Sequence, residues 1–148
     1  MNADLVSMSF MATGVVPVGV YLWTDDIWWL KLVGALFVTN LVVAGLKEVV
    51  GAHDWTARPA GAWGCDAFCM NGSVAGRPGF PSGHMATVTM FVATLWLRFG
   101  DERILWVGFP WIAAMAWARW AKRCHNLPQI AGGIVTGVLG AIAFDRLL

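Results

Sequence analysis

Residues 81–99 read PSGHMATVTMFVATLWLRF, a polar turn followed without a break by an apolar run. Pro and Ser are favoured at helix starts, so the pattern predicts a helix from about Ser82 to Phe99. Free backbone N–H groups and the helix dipole make such a start a site for anions. Gly83 would let an anion approach the backbone closely, and His84 would lie beside it. Taken alone, the turn fits an ordinary capped helix with an interfacial histidine equally well.

Four further apolar segments lie at about residues 5–23, 27–50, 104–120 and 128–145. Each is near the roughly 20 residues that a helix needs to cross a bilayer. Alternation with period two is absent, and helices are then the only plausible spanning form. We expect an all-α, polytopic transmembrane bundle of about five membrane helices. It would form a single domain over residues 1–148, with one long active-site loop at residues 51–81.

The composition supports a membrane protein. Hydrophobic residues make up 58% of the chain and charged residues 13%, whereas soluble domains carry about 25% charged residues. An unusually apolar soluble bundle is the less favoured alternative. The net charge of +1 provides no field that would recruit nucleic acid. Asp4 precedes the first apolar run and no basic residue does, so we expect no cleavable signal peptide.

Five alternating helices would place the N-terminus, the 51–81 loop and the 119–127 connection on one membrane face. All three cysteines and all three histidines then fall on that face. So do six of the ten basic residues, namely Lys47, Arg58, Arg77, Arg119, Lys122 and Arg123. Reactive side chains are therefore expected to concentrate at one end of the bundle.

Three residues around the fourth connection form a second candidate constellation. His125 and Gln129 are four residues apart, so they would share a helix face, and Gln129 could orient the imidazole. Arg119, at the end of the preceding segment, could reach the same region. A cationic membrane flank without chemistry is the alternative.

Lys47, near the end of the second segment, and Arg58-Pro59 complete the candidate site. A lysine within a membrane segment is costly and suggests function, although snorkelling to headgroups is the alternative. Cations, a helix start and two histidines at one place suit phosphoryl transfer. A metal site is not expected, because the few carboxylates on that face show no ligand spacing.

These residues resemble the three signature motifs of the type 2 phosphatidic acid phosphatase (lipid phosphate phosphatase) superfamily. The motifs are Lys47 with Arg58-Pro59, then Pro81-Ser82-Gly83-His84, then Arg119 with His125 after five intervening residues. The resemblance covers about residues 47–129. It implies metal-independent hydrolysis of a lipid phosphate or diphosphate without a cofactor, by way of a phosphohistidine.

The resemblance also implies a role for each matching residue. Lys47, Arg58 and Arg119 would hold the phosphate oxygens together with the backbone at Ser82 and Gly83. His125 would be the nucleophile. His84 would protonate the leaving group and then activate water.

The sequence departs from the family pattern at two points. Ten residues separate Lys47 from Arg58, a longer interval than the family usually has, and Arg77-Pro78 is an alternative second Arg-Pro. Gln129 stands where the family normally has Asp, so it could orient His125 but brings no charge. The chain also lacks the first helix of the family core, which carries no motif.

Most members of the family act on the extracytoplasmic or lumenal side, and we expect the reactive face there. Lys and Arg are more numerous on this face, which by the positive-inside rule favours the cytoplasm. Several of them are proposed phosphate ligands and count less for that reason. In an oxidising compartment Cys65 and Cys69 could form a disulfide, leaving Cys124 free.

Three functions remain open from the sequence. The first is a phosphatase for phosphatidic acid, phosphatidylglycerol phosphate or a polyprenyl diphosphate. The second, motivated by Gln129, is a weak or inactive protein that binds phospholipid headgroups. The third, a small transporter with histidine proton relays, does not explain the Pro-Ser-Gly-His turn. The expected partners are the bilayer and a lipid substrate; oligomeric state is not fixed by the sequence.

Overall fold

The fold is all-α, as predicted. A computed structural model describes residues 1–147, and over that range it contains helices and two isolated β-bridges but no strand. The α-helices, in chain order, are α1 (Ala3–Met8), α2 (Ala12–Thr24), α3 (Trp28–Val50), α4 (Gly83–Phe99), α5 (Glu102–Ala121) and α6 (Leu127–Leu147).

The first predicted segment is divided in two by a 3₁₀ turn at Ser9–Met11, between α1 and α2. Within this stretch the Ser9 hydroxyl donates to the carbonyl of Val6, and the Thr13 hydroxyl donates to that of Phe10. Such bonds to the preceding turn compete with the regular helical ladder and bend a helix. The predicted segment is nevertheless one helical stretch, Ala3–Thr24, whose hydrogen-bond pattern changes for a single turn.

Three stretches are long and apolar enough to cross a membrane: Ala3–Thr24, Trp28–Val50 and Leu127–Leu147. α4 differs from them, because it has 17 residues and every residue from Met85 to Val92 is buried. It is the central helix, and the other helices pack around it.

Glycines bring α6 into close contact with α4. A Cβ atom on Gly133 would lie 2.5 Å from the carbonyl oxygen of Ser82, and one on Gly137 would lie 2.5 Å from that of Ala86. Gln129, Gly133 and Gly137 recur every four residues and are all buried, so one stripe of α6 faces α4. The starts of the two helices consequently lie side by side.

The 51–81 loop folds over that end of the bundle. It contains a 3₁₀ turn at Asp54–Thr56 and isolated bridges that pair Ala57 with Pro78 and Trp63 with Ser73. These pairings fold the long connection back on itself.

The disulfide joins Cys65 to Cys124, whose Cα atoms are 5.5 Å apart, and Cys69 is free. The expected Cys65–Cys69 pairing is wrong. The Asp66 carboxylate accepts the backbone N–H of Met70, which closes a local turn without a cross-link. The Cys69 thiol instead faces the carbonyl of Asp4. The loop is thus covalently fixed to the residue that precedes His125.

Candidate active site

A cavity of about 450 Å³ lies where the loop meets the starts of α4 and α6. Its lining includes five of the residues that the sequence analysis singled out: Lys47, Arg58, Gly83, His84 and His125. Residues from α3, the loop, α4 and the α5–α6 connection thus reach one site, although they are far apart in the sequence.

His125 is held by Gln129 in one tautomer. The Gln129 side chain donates through Nε2 to the carbonyls of Trp55 and Ala57, at 2.9 and 2.8 Å. Its Oε1 atom must therefore point the other way, where it lies 3.0 Å from Nδ1 of His125. Nδ1 then carries the proton, and Nε2 keeps its lone pair.

Arg58 faces that lone pair. Its Nη1 atom donates to the carbonyl of Cys124 at 3.1 Å and lies 3.5 Å from Nε2 of His125. The backbone N–H of Arg58 donates to the carbonyl of Arg77, whose own side chain is exposed and does not line the cavity. Of the two Arg-Pro pairs, only the one at Arg58 brings its guanidinium next to His125.

Lys47 lies next to the start of α4. A Cβ atom on Gly83 would lie 4.0 Å from Nζ of Lys47 and 3.6 Å from the side chain of Val43. The backbone N–H groups in the first turn of a helix have no helical acceptor. The ammonium group and the N-terminus of α4 therefore form one positive surface of the cavity.

Arg119 is fully buried behind the cavity wall. Its guanidinium donates to the hydroxyl of Ser7 at 3.1 Å and to the carbonyl of Cys65 at 2.8 Å, and Cys65 itself lines the cavity. Nε of Arg119 is buried without a hydrogen-bond partner in the protein, as are Oγ of Ser82 and Nε2 of His84. The Oγ1 atoms of Thr89 and Thr94, which do not line the cavity, are unpartnered as well, so an unpartnered atom does not by itself mark a site. Of these five residues His84 lines the cavity.

Lys47, Arg58 and Arg119 form no ion pair among the described residues. Within residues 1–147 the ion pairs are Arg103–Asp101 and Lys122–Asp4, and neither includes Lys47, Arg58 or Arg119. Glu48 and Asp66 line the cavity without pairing to these cations. Such an arrangement favours a bound anion with several negative oxygens.

The same surroundings lower two pKa values outside the helices. Burial, followed by the positive charge of Arg77, lowers the pKa of Arg58 below its ordinary value. Burial lowers the pKa of His125 well below 6.5, and the charges of Arg58, Arg119 and Lys47 lower it further. The bond to Gln129 acts in the opposite direction. His125 is therefore a neutral imidazole at neutral pH, the form that a nucleophile requires.

Sequence reasoning missed three residues of the site. Ser7 binds Arg119, and the ring of Phe10 packs on His84 with centroids 4.4 Å apart. Asn126 donates to the carbonyl of Trp55 at 2.7 Å. None belongs to a motif, and each acts through a contact between distant segments, so the sequence held no signal for them.

The family model of the PAP2 superfamily matches residues 28–147, which is most of the chain. The chain belongs to the PAP2 superfamily. No curated protein and no solved structure matches it. The superfamily consists generally of phosphatases that act on phosphate esters, in agreement with the cationic cavity around two histidines. Ser7 and Phe10 lie outside the matched residues, although both contact the site of this PAP2 protein.

Proposed function

We propose that this PAP2 protein hydrolyses the phosphate of a membrane lipid without a metal, through a phosphohistidine on His125. The substrate would be a lipid monophosphate or diphosphate of the phosphatidic acid, phosphatidylglycerol phosphate or polyprenyl diphosphate class. One observation carries the proposal. The unprotonated Nε2 atom of His125 shares a cavity with His84, Lys47 and Arg58, and neither cation is ion-paired with a carboxylate in the described residues.

In the first step, the Nε2 lone pair of His125 attacks phosphorus, and the bond from phosphorus to the lipid oxygen breaks. The negative charge of the bound phosphate favours a proton on His84, which gives that proton to the leaving oxygen, so the lipid leaves as an alcohol or as a lipid phosphate. Lys47, Arg58 and the N-terminus of α4 stabilise the charge on the remaining oxygens. Arg119 adds positive charge from behind the wall.

In the second step, neutral His84 takes a proton from water, and the resulting hydroxide attacks phosphorus. The bond between phosphorus and nitrogen breaks, its electrons return to Nε2 of His125, and inorganic phosphate leaves. Gln129 keeps the proton on Nδ1 throughout by accepting its hydrogen bond. Its neutral amide supports this geometry without offsetting the positive charge that the imidazole carries in the intermediate.

We also propose a multi-pass arrangement with the cavity on the extracytoplasmic or lumenal face. The disulfide between Cys65 and Cys124 supports this orientation, because Cys65 lines the cavity, Cys124 directly precedes His125, and disulfides persist in oxidising compartments. Three of the helical stretches have the length and composition of membrane spans. The buried helix α4 would cross the bilayer among them, and α5 would cross it with an exposed apolar face, which includes Trp106, Val107 and Phe109, towards lipid.

The test is phosphate release in detergent with a chelator present, using those three lipid classes. We expect at least one to be hydrolysed, and His125→Ala to reduce the rate by roughly 10⁴-fold or more, as loss of a nucleophile does elsewhere. His53→Ala is the control, because His53 is an exposed histidine on the 51–81 loop and does not line the cavity. It should match the parent.

A second candidate function, favoured by the neutral amide of Gln129, is headgroup binding with little or no turnover. Trapping in an alkaline denaturing quench, in which the P–N bond of phosphohistidine survives, with a substrate labelled at phosphorus separates the two. If the parent protein carries trapped label and His125→Ala does not, the phosphatase function is supported. Phosphate-dependent binding with no trapped label, and no hydrolysis of any lipid in the panel, would leave only the binding function.

A further inference from the structure

We propose that Gln129, assisted by Asn126, clamps the active-site loop and so positions Arg58 as well as the nucleophile. The inference rests on the proposed function, since it explains how this chain assembles its phosphate site. It gives Gln129 a role for which an amide is required and for which the carboxylate usual in the family would be unsuitable.

The clamp consists of three hydrogen bonds to two loop carbonyls. Nε2 of Gln129 donates to the carbonyls of Trp55 and Ala57, and Nδ2 of Asn126 donates to that of Trp55 at 2.7 Å. Ala57 directly precedes Arg58, so the Ala57 carbonyl belongs to the peptide group that joins Ala57 to Arg58.

The returning part of the loop also packs on this amide. A Cβ atom on Gly79 would lie 2.6 Å from Oε1 and 2.9 Å from Nε2 of Gln129, so only glycine fits there. The backbone N–H of Gly79 donates to the carbonyl of Thr56 at 2.8 Å. Gln129 is fully buried, which means that both sides of the loop close over its side chain.

The hydrogen-bonding capacity of a primary amide matches these surroundings. It accepts from Nδ1 of His125 through oxygen and donates twice through nitrogen. An ionised carboxylate at this position would still accept from His125, but it would direct lone pairs at the carbonyls of Trp55 and Ala57. Burying acceptors against one another is costly, so the loop would move away and take Arg58 with it.

The main experiment measures vanadate binding to the full chain in detergent at pH 8, as a phosphate probe independent of turnover. Gln129→Glu keeps the acceptor for His125 and removes the donors to the loop. We expect its dissociation constant to rise about tenfold, the size of a lost charge-assisted hydrogen bond.

A double-mutant cycle distinguishes positioning from a general structural effect. In an Arg58→Ala background, Gln129→Glu should change vanadate affinity by less than about twofold, because the residue through which it acts is already absent. In a Lys47→Ala background the full tenfold effect should remain, since Lys47 lies on α3 and not on the loop. Equal effects in the two backgrounds would overturn the proposal.

Hydrogen exchange tests the clamp without any ligand. In Gln129→Glu, and more weakly in Asn126→Asp, loop peptides covering residues 55–58 and 77–80 should exchange faster while the centre of α4 stays protected. Asn126→Asp is the milder variant, because its carboxylate can still accept the backbone N–H of Gln129. Unchanged loop exchange in both variants would exclude a clamp. Parent protein that exchanges as expected but binds no vanadate would exclude the proposed phosphate site instead.

Discussion

The two ends of the helical bundle use arginine in opposite ways. At the end formed by residues 25–27 and 100–101, the Arg103 side chain is 88% exposed and pairs with Asp101 at 2.8 Å. Arg98 there lies over the ring of Trp28, with its guanidinium carbon 5.5 Å from the ring centroid. At the other end, the loop end, Arg119 is fully buried and Arg58 lines the cavity, and neither has a carboxylate partner.

The difference shows which surroundings leave the charge of a basic residue available to bind an anion. An exposed ion pair contributes little to stability, because water screens it and the side chains lose entropy. A buried guanidinium without a counter-ion is costly for the fold. At the loop end that cost is limited by neutral acceptors, such as the Ser7 hydroxyl and the carbonyls of Cys65 and Cys124. These acceptors hold the cations and leave their charge available to an anion.

Within this comparison, the largest effect on phosphate release is expected from Arg119→Lys at the loop end. Arg103→Lys makes the same conservative change at the other end. Arg119→Lys keeps the charge, but lysine cannot reach both Ser7 and Cys65 with one planar group. Because Cys65 lines the cavity and would lose the guanidinium bond that holds it, we expect the loop to shift and phosphate release to fall about 10²-fold, the size typical of one misplaced transition-state donor on that loop. Arg103→Lys at the opposite end should leave the rate within about twofold. Equal rates for the two variants would contradict the contrast between the ends.

The next effect concerns the disulfide at the loop end. Replacing Cys65 or Cys124 by Ser should lower the free energy of unfolding by about 2–5 kcal/mol, measured by thermal unfolding in detergent. Phosphate release should fall as well, because the disulfide fixes the loop beside His125. Cys69→Ser provides the matched control, since Cys69 is the free cysteine of the same loop. A reductant should reproduce the effect in the parent and leave the cysteine variants unchanged.

The sequence was most informative where a local pattern determines structure. The apolar runs predicted most helix boundaries to within about two residues, as for α5, predicted at 104–120 and observed at Glu102–Ala121. The motif residues also identified the family. Side chains at fixed offsets along one helix, such as His125 and Gln129, could be paired because helical geometry sets their distance.

Contacts across the loop could not be predicted in this way. The choice of Arg58 over Arg77 depends on how the loop folds back, with the N–H of Arg58 bound to the carbonyl of Arg77. The pairing of Cys65 with Cys124 bridges 59 positions, and cysteine spacing does not encode it. Ser7 and Phe10 reach the site only because α1 packs beside the end of α5, a contact that leaves no periodic signature in either segment.

The smallest expected effect, a change in one protonation equilibrium, would sharpen the comparison most directly. Burial and the unpaired cations lower the pKa of His125, so it should stay neutral at pH 6, where an ordinary histidine with a pKa near 6.5 is mostly protonated. Nuclear magnetic resonance of ¹⁵N-labelled histidine in detergent would show this, with denatured protein as the reference. Because the unfolded chain takes up this proton near pH 6.5 and the folded chain does not, His125 also makes stability decline as pH falls below that value.

Arg58→Ala, or bound vanadate, should raise the pKa of His125 by removing or offsetting positive charge. Arg103→Ala should leave it unchanged. A His125 that protonates near pH 6.5 in the parent and in Arg58→Ala alike would mean that the cations of the loop end do not act on this imidazole.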